Sequence, residues 1–194
     1  MRIILMGPPG AGKGTQAEVI ARRLGVPAIS TGHIFRANVS EETSLGLEAK
    51  RYIDAGDYVP DQVTNAMVRD RIAAADAKDG FLLDGYPRTV AQVEELDQML
   101  KDSAHAIDAV VVLTVDNDEL VERLMHRAGV EGRSDDSEKV IRRRQDVYNE
   151  QTAPLLNVYA GRGLLVEVDG MGEVDEVTSR VMTGLDNLRS QAAS

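Results

Sequence analysis

Five short apolar runs divide the chain: residues 2–7 (RIILMG), 27–31 (PAIST), 80–84 (GFLLD), 108–115 (DAVVVLTV) and 164–169 (LLVEVD). They are bounded by glycine, proline or aspartate and are too short for buried helices, so each reads as a strand. Between them the pattern turns helical. Lys13–Leu24 ends at Gly25 with Pro27 close behind, and 61–75 follows Pro60. Residues 90–100 and 119–126 follow the third and fourth strands. Residues 134–159 read as one long polar helix opened by a Ser-Asp-Asp-Ser cluster. The last helix carries Val174, Val177, Val181, Leu185 and Leu188 at spacings of three and four, one apolar face. Strands that are continuous apolar runs, alternating with helices, predict an α/β fold: a five-stranded parallel sheet covered on both faces. Ligands of such sheets sit beyond the carboxyl ends of the strands.

Length and composition narrow this picture. A chain of 194 residues is one domain, with room for small insertions. Residues 32–60 are polar and helical and exceed a simple crossover, so they predict a small subdomain; 191–194 read as a loose tail. Cysteine is absent, which excludes disulfides and a thiolate zinc site and fits a reducing, cytoplasmic setting. The first apolar run is too short for a signal peptide or a membrane span. The formal net charge of −10 argues against nucleic acid or an anionic membrane as partner, while leaving a local basic cleft possible.

The chemistry starts in residues 7–15, GPPGAGKGT. Glycines at 7, 10, 12 and 14 let the backbone curl so that successive N–H groups point inward, and a helix N-terminus follows at once. With Lys13 this is a phosphate-binding loop of the G-x-x-x-x-G-K type. The hydroxyl residue that usually follows the lysine and binds Mg²⁺ is replaced by Gly14, and Thr15 comes one place late. Mg²⁺ keeps several waters and needs few protein ligands, so phosphate oxygens and water are expected to hold it. Asp84, ending the third strand, is the carboxylate placed to steer those waters.

Three further stretches accompany the Gly-Lys-Gly-Thr sequence: STGHIFR at 30–36, DGYPRTVAQ at 84–92, and GRSDD at 132–136 before Arg144. Together, from Met1 to about Leu188, the chain resembles adenylate kinases, nucleoside monophosphate kinases of the P-loop NTPase fold that turn ATP and AMP into two ADP. The resemblance implies a donor site for ATP made by Gly10, Ala11, Gly12, Lys13, Gly14 and Thr15, with Arg123, Arg127 and the backbone near Gly172. It implies an acceptor site for AMP made by Thr31, Arg36, Asp57, Tyr58, Val59, Gly85, Arg88 and Gln92, with Arg133 and Arg144. Lys13, Arg88, Arg127, Arg133 and Arg144 are the expected catalytic set. The resemblance also implies a small helical AMP-binding subdomain over 30–59, a short lid over 127–137 and a monomer. Thr31 and Gln92 favour AMP over UMP or CMP: relatives that prefer those usually carry alanine and asparagine there, and a side-chain amide can pair with adenine through one donor and one acceptor.

Two departures stand out. His33 occupies a position that is usually acidic in such relatives, and an acid there would complete a capping box from Ser30. Only five residues separate Arg127 from Arg133, where many bacterial relatives insert a longer lid, sometimes with a four-ligand zinc site, so no zinc is expected. Arg142 and Arg143 match nothing in the resemblance and read as surface residues. Two alternatives remain open: a UMP/CMP-type kinase on the same scaffold, and a nucleotide-dependent switch without turnover, for which a second arginine set would have no use.

Overall fold

The computed structural model describes residues 1–116, 119–120, 123–125 and 137–192. Five strands, β1 (Arg2–Met6), β2 (Ala28–Ser30), β3 (Phe81–Asp84), β4 (Ala109–Thr114) and β5 (Leu165–Asp169), form one all-parallel sheet in the order β2-β3-β1-β4-β5. The five apolar runs of the sequence are these five strands. The three central ones are buried almost end to end because both sheet faces are covered, whereas β5, at an edge, alternates buried and exposed positions.

Alternation along the strands splits the core into two layers. On one face Ile3, Leu5, Leu82, Val111 and Leu113 pack against Ala17 and Ile20 of α1 (Lys13–Leu24) and Val177, Val181 and Leu185 of the C-terminal helix Val174–Ala192. On the other Ile4, Met6, Leu83, Val110 and Val112 pack against Val93, Leu96 and Leu100 of the helix Val90–Lys101 and against Leu155 and Tyr159.

Between β2 and β3 lie α2 (Thr31–Ser40), α3 (Ser44–Ala55) and α4 (Asp61–Ile72), followed by a 3₁₀ turn, Ala75–Ala77. The helix read over 61–75 thus ends earlier. The helices α2 and α3 share a small core of their own around Phe35, Ala49 and Val59. They meet almost backbone to backbone at Gly46, where any Cβ would land on the carbonyl of Asn38.

After β3 come α5 (Val90–Lys101) and β4, and residues 119–120 and 123–125 are helical. The single helix expected over 134–159 is a correction. Its residues 134–136 lie outside the described residues, α6 covers Glu138–Val147, a π-helical turn covers Tyr148–Thr152, and α7 covers Leu155–Gly161. Pro154 is the physical reason: it has no N–H to donate and its ring crowds the preceding turn, so the helix widens, with Ala153 N donating to Tyr148 O at 2.9 Å, before restarting. The chain closes with β5 and α8 (Val174–Ala192).

Candidate functional site

A cleft of about 830 Å³ opens beyond the carboxyl ends of β1, β2 and β3, where the parallel sheet places ligands. The register sets its floor: Asp84 of β3 lies level with both Leu5 of β1 and Ser30 of β2.

One wall is the loop between β1 and α1. Gly7, Gly10 and Gly12 all have positive φ. The close approach matters most at Gly7, where a Cβ would stand 2.8 Å from the Leu113 carbonyl. The Lys13 ammonium folds back over the loop, donating to Gly7 O at 2.7 Å and Pro8 O at 2.8 Å. Gly10, Gly12, Lys13, Gly14 and Thr15 line the cleft. Ala11 does not: it is buried beneath the loop, and its N–H is turned to Pro8 O at 3.2 Å.

Asp84 is nearly buried at the cleft floor. Its Oδ2 accepts from the Ser30 hydroxyl at 3.1 Å. Among the described residues nothing donates to Oδ1, so the carboxylate keeps acceptor capacity toward the cleft. That fits a hydrated divalent cation held through water, with Gly14 contributing no hydroxyl. Among the described residues no cluster of three or more His, Cys, Asp or Glu could hold a metal ion.

The opposite wall comes from α2, the turn before α4 and the segment after β3. The Thr31 hydroxyl donates to Gly85 O at 2.9 Å. Gly85 has φ +82, and a Cβ there would sit 2.7 Å from Thr31 Oγ1 and 2.8 Å from Arg88 Nη2. The Arg88 Nε donates to the same carbonyl at 2.8 Å. The Gln92 amide is buried: its Oε1 accepts from Arg88 N at 2.7 Å and its Nε2 donates to Asp61 Oδ1 at 2.6 Å. One N–H and one lone pair of that amide remain uncommitted, the donor–acceptor pair an adenine edge requires. The Arg36 guanidinium curls over Gly32, where a Cβ would be 3.1 Å from its Nη1. Asp57, Tyr58 and Val59 line the cleft together.

Helix α6 and the segment after β4 complete the arrangement. Arg144 faces the cleft, its stem against Gly56. Arg123 also lines it, donating to Glu119 Oε1 at 2.7 Å and Gly170 O at 3.4 Å. Gly172 lies off the cleft lining, in the loop after β5, which Arg180 fastens through Asp169 O and Met171 O at 2.8 and 2.6 Å. Arg127, Arg133 and nearly all of the expected lid at 127–137 lie outside the described residues. Against the chain's net charge of −10, the cleft lining among the described residues carries Lys13, Arg36, Arg71, Arg88, Arg123 and Arg144 but only three carboxylates, Glu18, Asp57 and Asp84. Such a cleft can receive two polyanions at once.

Several participants escape a reading by sequence. Asp61 orients Gln92 and also accepts from Thr89 Oγ1 at 2.9 Å. Arg143, expected at the surface, is half exposed but pairs with Asp57 at 2.7 Å, joining α6 to the segment before α4. Arg142 does lie at the surface, paired with Glu138 one turn away. At α2 the Ser30 hydroxyl accepts from His33 N at 3.4 Å, a long cap, and exposed His33 returns no side-chain acceptor. Among the described residues no helix is long and apolar enough to cross a membrane.

Comparison with known proteins adds a separate line. A family model described as adenylate kinase matches residues 5–164. The chain is 69% identical over 186 residues to a protein of Nocardioides sp. named adenylate kinase, covering 96% of this chain and 97% of that one. It is 62% identical over 185 residues to one from Kocuria rhizophila, covering 95% and 98%. A Micrococcus luteus protein of the same name is 56% identical over 193 residues, covering 100% of this chain and 94% of that one.

Proposed function

Because the chain belongs to the adenylate kinase family, we propose that this cleft seats both nucleotides of the family's reaction, ATP on the glycine loop and AMP on the facing wall. The protein is a phosphotransferase that moves the γ-phosphoryl group of ATP to AMP, giving two ADP. The observation that carries the two-site reading is the pair of cationic sets on opposite walls: the loop with Lys13 on one, Arg36, Arg88 and Arg144 on the other.

The attacking atom is a phosphate oxygen of AMP, already anionic near neutral pH, so no general base is needed. The obstacle is repulsion between two polyanions and loss of the phosphoryl group to water. The chain's task is to neutralise charge, hold both phosphates in line and exclude solvent. In this reading Lys13 leaves the loop carbonyls for the β- and γ-phosphates of ATP, and the loop amides and α1 N-terminus add positive partial charge. Arg88 and Arg36 fork the AMP phosphate, and Gln92, held by Asp61, reads the adenine edge. Arg144 comes from α6 toward the transferred group, and Arg123 supports the donor base beside the 170–173 loop. Arg127 and Arg133, on the short lid, are proposed to join it. A well-placed arginine in phosphoryl transfer is worth roughly 10³ to 10⁵ in rate. Asp84 would hold Mg²⁺ through water, and the bound ion would supply charge neutralisation for the nucleotide phosphates. We place the enzyme in the cytoplasm as a monomer, a setting that its lack of cysteine suits.

ADP formation with ATP, Mg²⁺ and each of AMP, GMP, CMP and UMP tests the acceptor wall. Strong transfer to AMP alone is expected. Preferred transfer to UMP or CMP would overturn the roles given to Thr31 and Gln92.

A further inference from the structure

The acceptor-wall arginine is held by a residue pair that no sequence motif connects. The Arg88 guanidinium carbon lies 4.8 Å from the centroid of the Tyr58 ring. Its Nε is committed to Gly85 O. Its two terminal nitrogens make no hydrogen bond among the described residues, so the fork is presented rather than consumed. Behind it, Thr152 donates to the Arg88 carbonyl at 2.9 Å and meets the Tyr58 hydroxyl at 2.7 Å. Thr152 has one proton, and that proton goes to Arg88 O; Tyr58 therefore donates to Thr152. The result is a directed chain, Tyr58 O–H to Thr152 Oγ1 and Thr152 O–H to Arg88 O. It closes a ring on itself through the cation–ring stack. With Arg88 N donating to Gln92 Oε1, both backbone polar groups of Arg88, its Nε and one face of its guanidinium are fixed.

We propose that Tyr58 and Thr152 are positioning residues for phosphate capture: the Tyr58 ring is the platform on which the Arg88 fork is aimed, and Thr152 locks ring and arginine in one register. The proposal rests on the reading of Arg88 as the acceptor-phosphate arginine. Three features support it beyond simple packing. Thr152 is buried and sits at the end of the π-helical turn, an irregularity that costs regular helical hydrogen bonds and is common at functional sites. The π-helical turn directly continues α6, which carries Arg144 into the cleft, so one continuous segment reaches both arginines. An aromatic face also fixes an arginine without spending its N–H groups, which leaves them for a phosphate.

The test is steady-state kinetics with AMP and ATP varied separately, on Tyr58→Leu, Tyr58→Phe, Thr152→Val, Thr152→Ser and Arg88→Ala. Removing the ring in Tyr58→Leu should lower kcat/KM for AMP roughly five- to thirtyfold, the worth of a partly desolvated cation–ring contact, with KM for ATP within about twofold. Tyr58→Phe keeps the ring and should lose roughly threefold, as a single lost hydrogen bond. Thr152→Val should resemble Tyr58→Leu, and Thr152→Ser should restore parental behaviour, which separates aiming from bulk packing. In the Arg88→Ala background, Tyr58→Leu should add less than about twofold, since the two act as a unit. If Arg88→Ala itself leaves kcat/KM for AMP unchanged, the acceptor reading of Arg88 fails. If Arg88→Ala is severe but Tyr58→Leu changes nothing, or lowers efficiency for ATP and AMP alike, the positioning proposal is wrong and the acceptor reading stands.

Discussion

Replacing Gly85 by alanine puts one methyl group between Thr31 and Arg88, in the wall proposed to seat AMP. Its Cβ would lie 2.7 Å from Thr31 Oγ1 and 2.8 Å from Arg88 Nη2, so each must retreat to 3.4 Å or more to reach ordinary contact. The backbone there has φ +82, a conformation costing an L-residue about 1–2 kcal/mol. Losing the Thr31–Gly85 hydrogen bond costs about another 1 kcal/mol. We therefore expect a stability loss of roughly 3–6 kcal/mol once overpacking is included. The larger effect falls on activity. If Arg88 holds the AMP phosphate as proposed, displacing its guanidinium by a sizeable fraction of an ångström costs up to about 10²-fold in productive alignment. The assay is chemical denaturation beside steady-state kinetics: kcat/KM for AMP should fall by about that factor, while KM for ATP changes little because the glycine loop is untouched. Parental efficiency with AMP, or an equal loss for both nucleotides, would refute the reasoning.

Other expectations follow from single contacts. Gly46→Ala forces α2 and α3 apart at the Asn38 carbonyl and should cost about 1–3 kcal/mol or more in thermal unfolding, with AMP binding weakened before ATP binding. Asp84→Asn keeps the Ser30 hydrogen bond but removes the charge at the cleft floor; a Mg²⁺ titration of the rate should show at least about a 10²-fold loss with little change in melting temperature. The Tyr159 hydroxyl is buried without a hydrogen-bond partner among the described residues, so Tyr159→Phe should be neutral or stabilising by up to about 1 kcal/mol in denaturant. Burial raises the Tyr86 and Tyr159 phenols well above their ordinary value near 10. A raised folded-state pKa means their contribution is whole below about pH 10 and fades as pH rises from there, because the unfolded chain ionises first. Alkaline unfolding curves should flatten in a Tyr86→Phe, Tyr159→Phe double variant.

The strands were legible because a sheet covered on both faces demands apolar runs, and the glycine loop was legible because its conformation admits few residue types at Gly7, Gly10 and Gly12. The helix break at Pro154 was not, because the polar periodicity of 134–159 continues through it and only the proline marks the widened turn. The supports of the site were hidden for a different reason. Tyr58 and Thr152 are 94 positions apart, and Arg143 and Asp57 are 86 apart. No local pattern predicts either pair. Asp61 reads as an ordinary helix-start acid, and its hold on Gln92 appears only when α4 and α5 pack. Sequence thus exposes residues whose type is dictated by their own backbone or by one ligand group. It conceals those whose role is to hold another side chain.

The central claim is that one cleft holds both nucleotides at once, phosphate to phosphate. The direct measurement is calorimetric titration with a compound carrying two adenosines joined by a polyphosphate bridge, alone and in competition with ATP and with AMP. The account predicts one molecule bound per chain, displaced by either nucleotide, with an affinity far above that of each because the second half binds at high effective concentration. Two molecules per chain, or displacement by only one of the nucleotides, would contradict it.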